Sequence, residues 1–340
     1  MTRVLEISLA TPEDAPEWDR FVRVSAGGTV YHLYAWLQVY EKVGKPFYFL
    51  AREKGNIVGV LPLVLVSEQG IRKLVSLPQG VGGLCVSEHV EERRSVARQL
   101  LQAAIEETKR QRCHQLEIKA DVSHAEFYEA LRRMQFALGY CVPVGNGWDS
   151  VWKTVFNKKA RKNVRHAINA GCTTKIFGGN EITEDVLSQF YAMHEKVSER
   201  HGQESIDIDT FIGIRAHLAE MCRICMTYYQ ETPVAVRFFI GDPETGVVSM
   251  YMGASDSDYW KHYPNDLGYS ETIRWSAENA YQWVDLGFSP YPSDKSGHAH
   301  FKGRWGGNEY KVDLFQFDSR PLSLLVNRAL RKITKRSVHR

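Results

Sequence analysis

Apolar residues gather along the chain in short β-rich runs that come in pairs. Phe47–Ala51 and Ile57–Val66 are split by Glu53-Lys54-Gly55-Asn56, which predicts a hairpin. Cys225–Tyr229 and Val234–Ile240, split by Glu231-Thr232-Pro233, predict a second hairpin. Asp242-Pro243-Glu244-Thr245-Gly246 then turns into a third strand, Val247–Met252. After each set the period changes. Val90–Gln111 reads as a long helix leading into a strand at His114–Ile118, and Leu267–Ala280 as a helix leading into Trp283–Leu286. Related tetrapeptides follow, His124-Ala125-Glu126-Phe127 and His298-Ala299-His300-Phe301. The second hairpin strands also begin alike, IVGVLPLVL and PVAVRFFI, at nearly the same spacing. Two matched features at one spacing predict a duplicated domain.

The copies then diverge. The first continues YEALRRMQF, with Phe127, Leu131 and Met134 on one side of an expected amphipathic helix. The second continues KGRWGG. Where the first is expected to pack a helix, the second presents lysine and glycine, so the second is the expected reacting half. The turn-rich Gly145-Asn146-Gly147 sets the expected boundary, giving domains over 1–147 and 148–320. Beyond Pro321, the stripe Leu322, Leu325, Val326, Leu330 and Ile333 predicts a closing helix over 321–340 that could return to the first domain.

Two further helices carry charge. In FNKKARKNVRHAINAGC, Phe156, Ala160, Val164, Ala167 and Ile168 form one stripe expected to be buried, and Gly171 a stop. Lys158, Lys159, Arg161, Lys162 and Arg165 occupy the rest, with no acid among them. Such a face is either solvated or a site for phosphates, of RNA, of a cofactor or of a nucleotide-linked substrate. The helix over Glu184–Arg200 buries Leu187, Phe190, Tyr191 and Val197. His194 falls on its apolar side as an expected core histidine, and Arg200 stands before His201-Gly202, placed to grip phosphate or carboxylate.

Composition narrows the class. With 340 residues, 44% of them hydrophobic and 24% charged, the chain is globular and long enough for two domains. A net charge of +3 is too small for a protein that coats nucleic acid, and no DNA partner is expected. No signal peptide or membrane span is expected, because the first residues carry Glu6, Glu13 and Asp14 and no apolar run is long enough. Six scattered cysteines suit reduced cytoplasmic thiols, and Cys222-x-x-Cys225 has no second pair for a metal. There is no G-x-S-x-G, no G-x-x-x-x-G-K-[ST], no H-E-x-x-H, and no G-x-G-x-x-G after a strand. What remains is chemistry run by positioning and by electrostatics on a polarised carbonyl.

The combination NKKARKNVRHA, SERHG, VVSMYMGAS, NDLGYSETIRWSAENAYQWVDLG and HFKGRWGG, with HLYAWLQVY and LVSLPQGVGGL before it, resembles the Fem-like acyltransferases of the GNAT superfamily. The likeness spans essentially the whole chain. It implies an α+β fold of two tandem GNAT-like domains, mixed twisted sheets flanked by helices, with catalysis in the second. It implies transfer of an acyl group, from acyl-CoA or from aminoacyl-tRNA, to an amine. The acceptor would be a small, lipid-linked or nucleotide-linked cell-envelope or polysaccharide precursor. The family's reacting lysine corresponds to Lys302. Arg200 matches an acceptor-phosphate position, while Tyr251 and Gly253 fall on the strand whose backbone faces the acyl group. Trp36 belongs to the opening motif of the first half. Asp285 and His300 are candidates for handling the amine proton, and Arg161, Lys162 and Arg165 for phosphate. Two departures stand out: Tyr40 replaces a lysine found after the Trp36 motif in bridge-forming relatives, and [RQ]-x-x-G-x-[GA] fails at the last position of Gln79–Leu84. The alternative is a non-catalytic RNA-binding or scaffold protein that keeps the fold.

Overall fold

The computed structural model describes residues 5–68, 70–78, 80–291 and 297–320; the closing helix expected over 321–340, and Gln79, lie outside them. The described residues form two compact units, one built up to Phe136 and again from Val312, the other from Ala137–Lys311.

The first unit runs β1 (Leu5–Leu9), α1 (Ala15–Val24), α2 (Tyr34–Val39), the hairpin β2 (Lys45–Glu53) and β3 (Asn56–Glu68), and β4 (Ile71–Ser76). The two-residue β5 (Cys85–Val86), α3 (Arg93–Arg110) and β6 (Gln115–Asp121) follow. After β7 (Arg132–Pro143) come a short helical turn, α4 (Trp148–Ser150), and two helices, α5 (Lys158–Asn169) and α6 (Glu184–Arg200), with β8 (Cys172–Gly178) between them. Then come α7 (Ile208–His217), β9 (Cys222–Tyr229), β10 (Thr232–Asp242), β11 (Val247–Ser255), α8 (Pro264–Glu278), β12 (Trp283–Pro290), α9 (Gly297–Gly303) and β13 (Asn308–Asp318).

The duplication read from the sequence is present. In the first unit β2, β3 and β4 pair antiparallel, α3 crosses over, and β6 returns parallel to β4. In the second, β9, β10 and β11 pair antiparallel, α8 crosses over, and β12 returns parallel to β11. The strand that closes each sheet comes from the other half of the sequence. Residues 312–318 of β13 pair with β6 in the first unit, and residues 137–143 of β7 pair with β12 in the second.

Each unit has its own apolar core. In the first, Leu100, Leu101 and Ala104 of α3 pack on Phe49, Leu61, Leu116 and Ile118. In the second, Val164 and Ala167 of α5 and Leu267 and Ile273 of α8 pack on Phe239, Val248 and Leu286. Burying side chains of this size contributes about 1.5–3 kcal/mol each.

Two expectations are corrected. The YEALRRMQF segment is not a helix: a 3-10 segment ends at Tyr128 and β7 begins at Arg132. Its spacing of three and four is local, whereas the strand is fixed by a ladder to distant partners. So both tetrapeptides sit on short helices that lead into strands, and the halves are more alike here than the sequence suggests. Ile168, expected in the buried stripe of α5, is 54% exposed, while Phe156, Ala160, Val164 and Ala167 are buried.

Candidate active site

β11 and β12 pair in parallel over three positions only: Val247 with Trp283, Val248 with Val284, Ser249 with Asp285. Immediately beyond, each strand carries one extra residue against its outer neighbour. On β11, Phe238 faces Met252 and Phe239 faces Met250, which leaves Tyr251 over. On β12, Asp285 faces Cys141 and Phe288 faces Gly139, with two residues between them instead of one. A bulge bends its strand and steepens the twist. Two parallel neighbours bulged at the same level therefore part, and their facing backbone groups lose each other as partners. Met252 and Gly253 are at least partly exposed there.

The segment HFKGRWGG closes on this opening. Lys302, only 8% exposed on α9, donates from Nζ to the Phe288 carbonyl at 2.9 Å, on the bulged stretch of β12. Trp305 is fully buried, stacked 5.6 Å from Tyr269 and edge-on to Phe156. Gly306 and Gly307 have φ of +74° and +101°, and a Cβ on either would stand 2.2 Å from a backbone oxygen, of Val155 and Cys141 respectively. Only glycine fits both demands. The glycines let the chain turn against the backbone of β7 and of the helical turn that ends at Val155, and the tryptophan anchors that turn.

Asp285 is half-buried beside the parting. Its Oδ1 accepts the Gly287 N–H at 2.8 Å, and the Tyr310 hydroxyl lies 3.0 Å from each carboxylate oxygen. Burial raises its pKa, while the Gly287 and Tyr310 hydrogen bonds and the Lys302 charge pull it back. Burial lowers Lys302 to about 8, with the Asp285 charge opposing the shift and the Arg237 charge adding to it.

Sequence reasoning missed Arg237, a cation in the middle of an apolar strand run and 4% exposed. It bonds the Val236 and Ala254 carbonyls and the Asn265 side chain, lies 4.5 Å over the Tyr269 ring, and leaves Nε without a hydrogen-bond partner. A charge inside the apolar string VAVRFFI was its one visible signal. Asp266 and Arg304 were missed too. Asp266 Oδ1 accepts from Arg304 at 2.9 Å and from Asn163 at 3.0 Å, tying α8, α5 and the Lys302 segment together. The Asn157 N–H, at the start of α5, donates to the Arg304 carbonyl at 3.1 Å.

Of the residues singled out in the sequence, Lys302 and Asp285 both lie at the parting of the strands, near enough for each charge to act on the other. His300 is exposed and, two residues from buried Lys302 on α9, points away from it. Tyr251 is the bulge residue and packs near Phe211 and Phe238. Gly253 lies under Arg237: a Cβ there would stand 2.8 Å from the guanidinium. Arg200 is exposed, lies 4.8 Å over Trp260 and donates to the Ser255 carbonyl at 3.3 Å. Arg161 donates to the carbonyls of Trp152, Lys153 and Phe156, so it closes the turn before α5. Lys158, Lys159, Lys162 and Arg165 are exposed, Arg165 lying 5.6 Å over Trp152. Trp36 is in the first unit, fully enclosed and edge-on to Tyr31 and Tyr40. His194 is a core histidine whose Nε2 accepts the Ile206 N–H at 3.1 Å. Among the described residues there is no group of metal-ligating side chains, and no helix is long and apolar enough to cross a membrane.

Residues 157–311 match the family model described as an acetyltransferase (GNAT) domain. A search of curated proteins finds no relative. Among solved structures the chain is similar to FemX, at TM-score 0.71 and 16% identity, covering 95% of this chain and 100% of that one. It is also similar to a tandem GNAT protein from the clavulanic acid biosynthesis pathway, at TM-score 0.65 and 13% identity over 94% and 99% of the two chains. A third is L-PGS from Bacillus licheniformis, at TM-score 0.59 and 14% identity over 94% and 97%. Residues 157–311 of this chain are therefore similar to a GNAT acetyltransferase domain, and the chain as a whole has the fold seen in FemX and in that tandem GNAT protein.

Proposed function

We propose that the second unit transfers an activated acyl group to an amine in the cleft where β11 and β12 part. The observation that carries this reading is a buried ammonium, Lys302, and a half-buried carboxylate, Asp285, at that break in the ladder. The acyl carbonyl would lie against the exposed backbone of β11 at Met252 and Gly253. The amine attacks the carbonyl carbon, and the Lys302 ammonium stabilises the charge that gathers on its oxygen. Asp285 takes the proton the amine loses and returns it to the departing sulfur or oxygen. The N–C bond forms, the C–S or C–O bond breaks, and no proton is gained or lost overall.

The GNAT domain favours acyl-CoA as donor, with aminoacyl-tRNA as the other. Both carry phosphates, which the exposed Lys158, Lys159, Lys162 and Arg165 of α5, and Arg200, would attract. The acceptor in this reading is an amine of a cell-envelope or polysaccharide precursor, modified in the cytoplasm. The same exposed cations favour a second reading, RNA binding without turnover, which would be salt-dependent and indifferent to Lys302.

The test is Lys302→Ala beside Lys302→Arg, assayed with acetyl-CoA against a panel of amines. Lys302→Ala should cost about 10²–10³ in kcat with little change in melting temperature. The wild-type rate should fall as pH rises past about 8, where Lys302 loses its proton, and Lys302→Arg should carry its residual activity to higher pH. Full turnover in Lys302→Ala rules the assignment out. The donor is read separately by thermal shift: CoA or a tRNA at about a hundred times its Kd would stabilise by about 2.7 kcal/mol.

A further inference from the structure

The step just described uses Lys302 and Asp285 but gives Tyr310 no part, although Tyr310 touches the reacting carboxylate more fully than any other side chain. Its hydroxyl donates across both Asp285 oxygens, 3.0 Å from each. Its ring is laid flat against backbone, because the position where a Cβ on Gly139 would stand is 2.0 Å from the ring carbon bearing the hydroxyl. Gly139 pairs with Phe288, whose carbonyl holds Lys302. A tyrosine seated on a glycine in the ladder next to the cleft has little freedom to point elsewhere.

The two carboxylate oxygens are not equivalent. Oδ1 carries the Gly287 N–H as well as its share of the Tyr310 hydroxyl; Oδ2 carries that share alone. The charge that acts on Asp285 is the Lys302 ammonium from α9, and the residues paired opposite it are Cys141 on β7 and Ser249 on β11. We propose that Tyr310 is the positioning residue of the proton acceptor: it pins the Asp285 carboxylate so that Oδ2 is the oxygen open to the amine. This rests on the acyl-transfer reading above. By donating to the charged form, the hydroxyl also keeps the carboxylate ionised against the pull of its half-buried setting. The amine proton then arrives at Oδ2 and leaves from it to the departing atom.

Tyr310→Phe keeps the ring on Gly139 and removes only the hydroxyl. The full-length chain, labelled with carboxyl-¹³C aspartate and assigned through Asp285→Asn, reports the Asp285 titration directly, whether or not a substrate is known. In Tyr310→Phe its midpoint should rise by about one to two pH units. With a working acceptor, the acid limb of kcat/KM should rise by the same amount, and the plateau should drop about tenfold. An unmoved ¹³C midpoint overturns the proposal outright. A midpoint that rises while the acid limb stays in place shows that the hydroxyl holds a carboxylate that takes no proton in the reaction. That overturns the positioning role and the use of Asp285 as base together. Absence of any acyl transfer, with the midpoint raised, overturns the acyl-transfer reading while leaving the contact intact.

Discussion

His32 lies in the first unit, 2% exposed. Its Nδ1 accepts the Thr29 N–H at 3.3 Å, so Nε2 is the nitrogen that donates to the Gly83 carbonyl, at 3.2 Å. Burial pushes it down to about 4. An unfolded histidine titrates near 6.5, so between that value and about 4 the unfolded chain holds a proton the folded chain refuses. Stability is therefore full above pH 6.5 and falls as pH drops toward 4, by about 3 kcal/mol from this side chain. Denaturant titrations at pH 4, 5.5 and 7 should show that slope, and His32→Gln should flatten it. Single residues were unevenly legible in the sequence. Lys302 announced itself through its glycines and His194 through its helical face. Asp285 stood at the end of a recognisable strand. Tyr310 and Asp266 gave no signal, because each acquires its role from a partner far along the chain that no local pattern names.

Helices and hairpins were legible because their periods are local; the bulges of β11 and β12 were not, because an extra residue shows only once the neighbouring strand is known. The same blindness made β7 look helical. Yet the bulges shape the site more than any regular element does. Gly287 sits inside the β12 bulge at φ +70°, where a Cβ would also stand 3.7 Å from Lys302 Nζ. The left-handed backbone costs a non-glycine residue about 1–2 kcal/mol. Gly287→Ala should therefore lower stability by about that much in urea unfolding. It should also lower the rate several-fold, because relaxing the backbone moves the Asp285 contact and the Phe288 carbonyl together. A variant with both stability and rate intact would show that the bulge tolerates an ordinary residue.

The two units each hold a strand from the other half of the sequence. In the first, Phe315 of β13 is 1% exposed, stacks 4.3 Å from Tyr128, and lies in the stretch that pairs with β6. Phe315→Ala should destabilise that unit by about 3–5 kcal/mol. Hydrogen exchange followed by mass spectrometry should show β6 and α3 losing protection while β9 and β10 keep theirs; equal loss in both sets would contradict this division of the chain. The sequence suggested two repeated halves and their order, but it could not show the exchange of closing strands, since repeats look the same whichever sheet their last strand joins. The exchange also sets a schedule for the ribosome. The β6 edge is made early but waits for a strand whose paired residues lie 191 or more positions downstream (Asp121 with Val312), roughly 10–40 s at 5–20 residues per second. Residues 137–311 emerge complete before then. A nascent chain thus carries an open sheet edge through most of its synthesis, which makes that edge the natural place for a chaperone to bind or for aggregation to begin.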